Sequence, residues 1–299
     1  MSESQSHPNP FRGTLTIHAS KEGICESLNS LIQKSFVTAM QSSSTFYIAL
    51  SGGSLPSFLA SLPQSFIDAN IDPQWDKWHV LLADERLVTS THPDSNLGAL
   101  MQSFLGLMPI PKDQIYGIDE SLLTENYEDI DSKTIASEYQ SRVFKEPLSN
   151  GADFLVDCAL LGFGPDGHTC SLFPNDDLLK ETKLFVAGID NSPKPPSKRI
   201  TLTMKVLNEC TRDVIFVGAG ESKNEVLSSL FDTVHLRQAC PIFHGNEIDE
   251  VRVCDVIMNS NLVYPCGMIR PERGILHYLT DSDATKNNLQ INKNSCSML

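Results

Sequence analysis

The chain reads as an α/β protein: a doubly wound, largely parallel sheet, Rossmann-like and flanked by helices, in a single large domain. Three observations carry that expectation. Apolar, β-rich runs alternate with helix-spaced segments, and no linker interrupts the alternation. At four junctions, after Leu50, Ala83, Gly162 and Gly218, a strand-like run ends in glycines or charged residues and a loop or helix signal follows. At 299 residues the chain is long enough for one domain with a sizeable core.

The first junction is TFYIALSGGSLPSFLASL. Thr45–Leu50 is a strand by its β-branched and aromatic content, Ser51–Ser54 a glycine turn, and Leu55–Leu62 a short helix with Pro56 tolerated in its first turn. Successive N–H groups of Ser51, Gly52, Gly53 and Ser54, with a helix N-terminus behind them, make a nest for phosphate or carboxylate. The GxxxxGK[ST] spacing of a P-loop is missing. The second junction, WHVLLADERLV, places Asp84, Glu85 and Arg86 at the carboxyl end of a Trp78–Ala83 strand. Arg86 either pairs with its neighbours or offers its forked donors to an anionic substrate.

The third junction carries the most information. FLVDCALL, Phe154–Leu161, delivers the loop GFGPDGHTCSLFP with His168 in it. Ligands of parallel α/β sheets bind beyond the carboxyl ends of strands, and glycine there lets backbone approach them. The fourth, DVIFVGAGESKNEVLSSLF, gives a strand over Val214–Gly218, a helix over Ser222–Phe231, and Lys223 in the first helical turn, where Glu221 and Glu225 or a bound anion offsets the dipole. Arg199, in SKRITLTM, precedes a further β-rich segment. Other helix signals span Cys25–Met40, Asn96–Leu107 and Thr134–Phe144.

Taken in order, these pieces resemble the 6-phosphogluconolactonase family, within the wider superfamily of glucosamine-6-phosphate isomerases and deaminases. The resemblance runs from about Phe46 to about Ala284. It rests on SGGS with Pro56, DER at Asp84–Arg86, DSN at Asp94–Asn96, GFGPDGHTCSLFP, RITLT from Arg199, GxxK at Gly220–Lys223, and YPCGMIRPERGILHYLTDSDA. It implies hydrolysis of 6-phospho-D-glucono-1,5-lactone to 6-phosphogluconate in the oxidative pentose phosphate pathway, with neither cofactor nor metal. Its phosphorylated sugar lactone is the expected partner. His168 is then the general base, since an ordinary imidazole titrates near neutrality and a positioned base is worth about 10² to 10⁴ in rate. Asp166 orients the imidazole. Ser51, Gly52, Gly53, Ser54, Arg86, Arg199 and Lys223 are the candidates for holding phosphate, and each cation is also a candidate for stabilising the oxyanion.

Two alternatives stand beside this reading. Deaminases of the superfamily carry a glutamate five residues after the loop histidine, where this chain has Phe173, and tend to an aromatic residue at the position of Arg86. A non-catalytic sugar-phosphate-binding relative would have lost its base, whereas His168, Asp166, Arg86 and Lys223 are all present.

The formal net charge of −14 argues against nucleic acid as a partner, and it demands that basic residues be gathered locally to receive an anion. Eight scattered cysteines form no CxxC and share no metal-ligand spacing with histidines. Cys170, close to His168, is set aside as a nucleophile for want of assured geometry, and Cys158 reads as a core residue. No integral membrane segment is expected, and a monomer is. Residues 1–12 read as a flexible N-terminus, 13–285 as the lactonase domain and 286–299 as a disordered tail. A cytoplasmic location follows from the polar, leader-free N-terminus. At the other end, Ser297–Leu299 resembles a peroxisomal address and Cys296–Leu299 a prenylation box. Asn191–Lys198 and Asp119–Ser132 read as mobile surface loops, the first beside the site.

Overall fold

In the computed structural model the described residues are 11–152, 155–244, 247–260, 263–286 and 289–292, side chains of 242–249 excepted. In chain order they form β1 (Arg12–His18), α1 (Lys21–Ser42), β2 (Phe46–Leu50), α2 (Leu62–Asp68), β3 (Trp78–Leu82), β4 (Asp84–Arg86), α3 (Asn96–Ser103), α4 (Ser132–Val143), α5 (Lys145–Ser149), β5 (Val156–Leu161), β6 (Val186–Ile189), β7 (Arg199–Leu202), α6 (Met204–Glu209), β8 (Thr211–Val217), α7 (Asn224–Leu230), β9 (Phe231–His244), β10 (Glu247–Met258), α8 (Pro265–Met268) and β11 (Leu276–Asp281).

Eight strands make the main sheet, in the order β3-β2-β5-β8-β11-β1-β10-β9. From β3 to β1 all neighbours are parallel, and β10 and β9 extend the sheet as an antiparallel hairpin. The parallel strands read as apolar runs because both faces are covered: β2 and β3 are buried along their whole length. Helix α1 shows the other period. Ser20 caps its N-terminus by accepting from the Gly23 N–H, and Ile24, Leu28, Ile32, Phe36 and Ala39 recur on one buried face. That face meets the aromatic cluster of Phe46, Phe66 and Trp78, edge-on to the first two rings and stacked on the third.

Strand order fixes where a ligand goes. After β2 the chain moves outward to β3, whereas after β5 it proceeds to β8 on the opposite side. The switch point therefore lies between the carboxyl ends of β2 and β5, and a crevice opens where connections diverge. Those two ends release the Ser51–Ser54 turn and the histidine loop. The expected fold class holds.

A second, three-stranded antiparallel sheet, β4-β7-β6, was not anticipated. The chain leaves the main sheet at Ala83, whose N–H still donates to Leu50 O while its carbonyl accepts from Leu202 N–H. Asp84–Arg86, expected as a loop, is thereby a short strand paired with Arg199–Thr201. The helix expected over Leu55–Leu62 is one 3-10 turn, Leu55–Phe58, followed by α2. Both loops expected to be mobile are tied down. Lys198 N–H donates to the Tyr127 hydroxyl and Lys198 Nζ to Ile130 O, at 2.7 and 2.8 Å.

The flexible N-terminus expected over residues 1–12 lies mostly outside the described residues, although β1 begins at Arg12 and Phe11 packs on the core. Of the tail expected from Lys286, residues 289–292 run beside β9, where Asn292 exchanges backbone hydrogen bonds with Val234 and Leu236. Cys296–Leu299 lies outside the described residues. Among the described residues no helix is long and apolar enough to cross a membrane.

Candidate active site

Three motifs assemble at the ends of β2 and β3. Ser51 N–H donates to Leu160 O, so the turn starts against β5. A Cβ on Gly52 would fall 1.8 Å from Asn96 Oδ1, which makes glycine necessary for the DSN segment to approach. Asn96 Nδ2 in turn donates to Asp84 O at 2.8 Å. Glu85, 1 % exposed, caps α3 by accepting from Asn96 N–H and Leu97 N–H, both at 2.8 Å, and from the Ser95 hydroxyl. Burial pushes its carboxyl up to about 7, against those hydrogen bonds. Arg86 Nη1 donates to Asp94 O, while its Nε is buried without a partner. The buried Ser51 hydroxyl likewise finds no oxygen or nitrogen partner. Both belong to segments that leave the carboxyl ends of β2 and β3.

The histidine loop closes on itself. Gly164 N–H donates to His168 O and Gly167 N–H to Gly164 O, at 2.8 and 3.0 Å. A Cβ on Gly164 would stand 2.1 Å from the imidazole, so the ring lies directly over loop backbone. His168 stacks on Phe173, centroids 4.8 Å apart and planes within 18°. Its Nδ1 is hydrogen-bonded to Asp166 Oδ1. Burial lowers the imidazole below its ordinary value, opposing the pull of Asp166, so the neutral form is favoured. Burial also disfavours ionised Asp166, but hydrogen bonds from Lys194 and His168 outweigh it and hold the carboxyl well below the usual range.

Cations gather around this pair despite the acidic chain. Lys223 Nζ donates to Phe163 O at 2.5 Å, and its affinity for a proton is lowered by burial and partly restored by Asp166. Arg86 and Arg199 are cross-strand partners in β4 and β7. Arg199, expected among the phosphate ligands, is 3 % exposed and makes four hydrogen bonds within the protein: to the carbonyls of Lys194, Pro195 and Pro196 and to Ser171 Oγ. Ser171 passes the connection on by donating to Asp84 Oδ2 at 2.7 Å. Arg199 therefore fastens two loops together, and its guanidinium is committed. The sequence reading missed Lys194, whose Nζ stands 2.8 Å from Asp166 Oδ2 and 3.2 Å from His168 Nδ1. Its only signal was a lysine among prolines in a loop already expected beside the site.

Cys170 offers no nucleophile. Burial, then the charge of Asp84, pushes its thiol well above the ordinary range. Among the described residues no three histidine, cysteine or acidic side chains are grouped to hold a metal.

Residues 19–247 match the family model described as glucosamine-6-phosphate isomerases/6-phosphogluconolactonase. The chain is 36 % identical to a 6-phosphogluconolactonase of Rattus norvegicus, over 93 % of this chain and 94 % of that protein. It is 37 % identical to 6-phosphogluconolactonase 3 of Saccharomyces cerevisiae, over 73 % of this chain and 85 % of the relative. Among solved structures, a 6-phosphogluconolactonase from Trypanosoma cruzi superposes with a TM-score of 0.68 at 21 % identity, covering 93 % of this chain and 97 % of its own, which bears on the fold. With a carboxylate-held histidine in the loop that leaves β5, these matches mean that the chain belongs to the glucosamine-6-phosphate isomerase/6-phosphogluconolactonase family.

Proposed function

We propose that this chain is a 6-phosphogluconolactonase, which opens 6-phospho-D-glucono-1,5-lactone with water to give 6-phosphogluconate. The observation that carries the choice within the family is the surroundings of His168: one carboxylate on Nδ1, an aromatic face from Phe173, and no acid at residue 173. Shuttling protons on an amino sugar calls for that extra carboxylate, whereas water attack on an ester does not.

In this mechanism ionised Asp166 accepts the Nδ1–H of neutral His168, which leaves Nε2 to take a proton from water. The water oxygen attacks C1 and an oxyanion forms. As the carbonyl reforms, the bond from C1 to the ring oxygen breaks, and the imidazolium returns its proton to that oxygen. Arg86, Lys223, the Ser51 hydroxyl and the N–H groups of Gly52, Gly53 and Ser54 hold the phosphate or receive the developing charge, the Ser51 N–H being taken by Leu160 O. Arg199 serves by shaping the site from behind. The second proton of the water stays on the new C1 carboxyl group and is released to solvent as 6-phosphogluconate forms.

Hydrolysis of freshly generated lactone, with the spontaneous rate subtracted, tests the reading. His168→Ala is expected to lower kcat by about 10² to 10⁴ without loss of fold. Absence of turnover in folded wild-type protein would overturn the assignment, and amino-sugar phosphates would then be tried as substrates.

A further inference from the structure

Lys194 lies in the loop between β6 and β7, 26 residues beyond His168, and the loop holds it there by several bonds of its own. Ser192 N–H donates to Ser197 O at 2.9 Å, and Arg199 Nη2 donates to the carbonyl of Lys194 itself at 2.8 Å. The same guanidinium reaches Ser171, three residues after His168. One arginine thus fixes the loop that carries the lysine and the loop that carries the base. Lys194 Nζ then sits between Asp166 Oδ2 and His168 Nδ1, with its ammonium 5.6 Å from the centroid of the Phe173 ring.

We propose that Lys194 is a positioning residue for this reaction: it takes one oxygen of Asp166 so that the other stays on Nδ1, and it sets a positive charge beside the ring. The inference rests on the lactonase reading. Geometry supplies the first half, because an aspartate side chain that is 40 % exposed and held through one oxygen is free to turn toward solvent, and the second bond removes that freedom. Electrostatics supplies the second. The charged groups that face the imidazole are Asp166 on its own loop, Lys194 from the β6–β7 loop and Asp84 from β4. Lys223, at the start of α7, interacts with the charges of Asp166 and Lys194. Of the groups facing the ring, only Lys194 opposes its protonation. Its removal leaves Asp166 and Asp84 unopposed, so imidazolium forms at higher pH and the base is lost earlier as pH falls.

The experiment uses the full chain with ring-labelled histidine, without substrate. The His168 resonance is followed by NMR against pH in wild type, Lys194→Met and Lys194→Arg, and is identified by its loss in His168→Gln. In Lys194→Met the midpoint is expected to rise by about half a unit to one unit, and in Lys194→Arg to return toward wild type. The acid limb of kcat/KM should move with it, so that well below the limb the methionine variant is about threefold to tenfold slower than wild type. An unmoved midpoint and limb overturn the proposal, whether accompanied by a lower Tm, which would leave Lys194 a structural residue, or by a higher KM alone, which would make it a substrate ligand. The titration needs no turnover. Failure of the lactonase assignment therefore shows as an inactive wild type, and failure of the Lys194 role as an unmoved histidine.

Discussion

The two ends of the same parallel strands carry similar residues arranged to opposite purpose. At the amino ends of β2, β5 and β8, Arg212 donates to Asp157 at 3.1 Å, to Asp213 at 3.2 Å and to Ser35 O at 2.8 Å. Ser35 donates to Asp213, and Tyr47 N–H donates to Asp157. Burial pushes the Asp157 carboxyl up to about 6, against the Tyr47 N–H and the Arg212 charge that favour its ionised form. At the carboxyl ends, by contrast, Arg86 Nε is buried with no partner and the Ser51 hydroxyl with no oxygen or nitrogen partner. A cavity of about 610 Å³, lined by Tyr47, Glu146, Asp157 and Arg212, opens at the amino end. Volume therefore does not locate the chemistry. The contrast lies in pairing, since a network whose members satisfy one another has little left to offer a ligand.

The comparison breaks most visibly if Arg212→Ala does anything but destabilise. It leaves Asp157 and Asp213 buried without their cation, which costs about 3–5 kcal/mol and lowers Tm by roughly 10 °C. The kcat/KM of the molecules that remain folded is expected to stay within about twofold of wild type. Thermal unfolding and an assay well below Tm read the two quantities separately. An unchanged Tm, or a selective loss of turnover, would show that the amino end is no mere girder.

Lys223→Met asks the converse at the other end. On the role proposed for Lys223, losing this charged donor is worth about 1.5–3 kcal/mol, so kcat/KM should fall roughly 10- to 100-fold. Tm should hold or rise slightly, because the ammonium is half-buried at a cost that methionine does not bear. A marked fall in Tm with kcat/KM unchanged would make the bond to Phe163 O its whole role.

The sequence made the parallel half of this structure legible because there one local pattern, apolar run then turn then helix, coincides with the tertiary unit. Junctions after Leu50, Gly162 and Gly218 show it, and they carry the nest, the base and Lys223. What it hid depends on distant pairing. Three residues, Asp84–Arg86, have no periodicity of their own, and their partner strand comes more than a hundred residues later. The β9–β10 hairpin continues a sheet whose pattern had been read as parallel. Arg199 and Lys194 were visible as charges, but sequence does not say whom a guanidinium meets. Arg199, expected on substrate, bonds the carbonyls of the Lys194–Pro196 loop, and Lys194, which passed unnoticed, stands beside His168 and Asp166.

The smallest effect is expected at Cys170, which sharpens the contrast because a thiol beside a histidine invites a catalytic role. Cys158, in the middle of β5, is the control: burial pushes its thiol up as well. A thiol attacks only as thiolate, and at Cys170 burial and the charge of Asp84 both oppose that form, while His168 gives its Nδ1 to Asp166. Cys170 also has φ of +51°, a conformation in which a side chain gains nothing locally, so alanine in its place should alter backbone strain little. Cys170→Ala is therefore expected to keep kcat within about twofold, and iodoacetamide to leave the folded wild type active. A loss beyond tenfold with Tm intact would place the thiol in the reaction and make His168 its partner rather than water's.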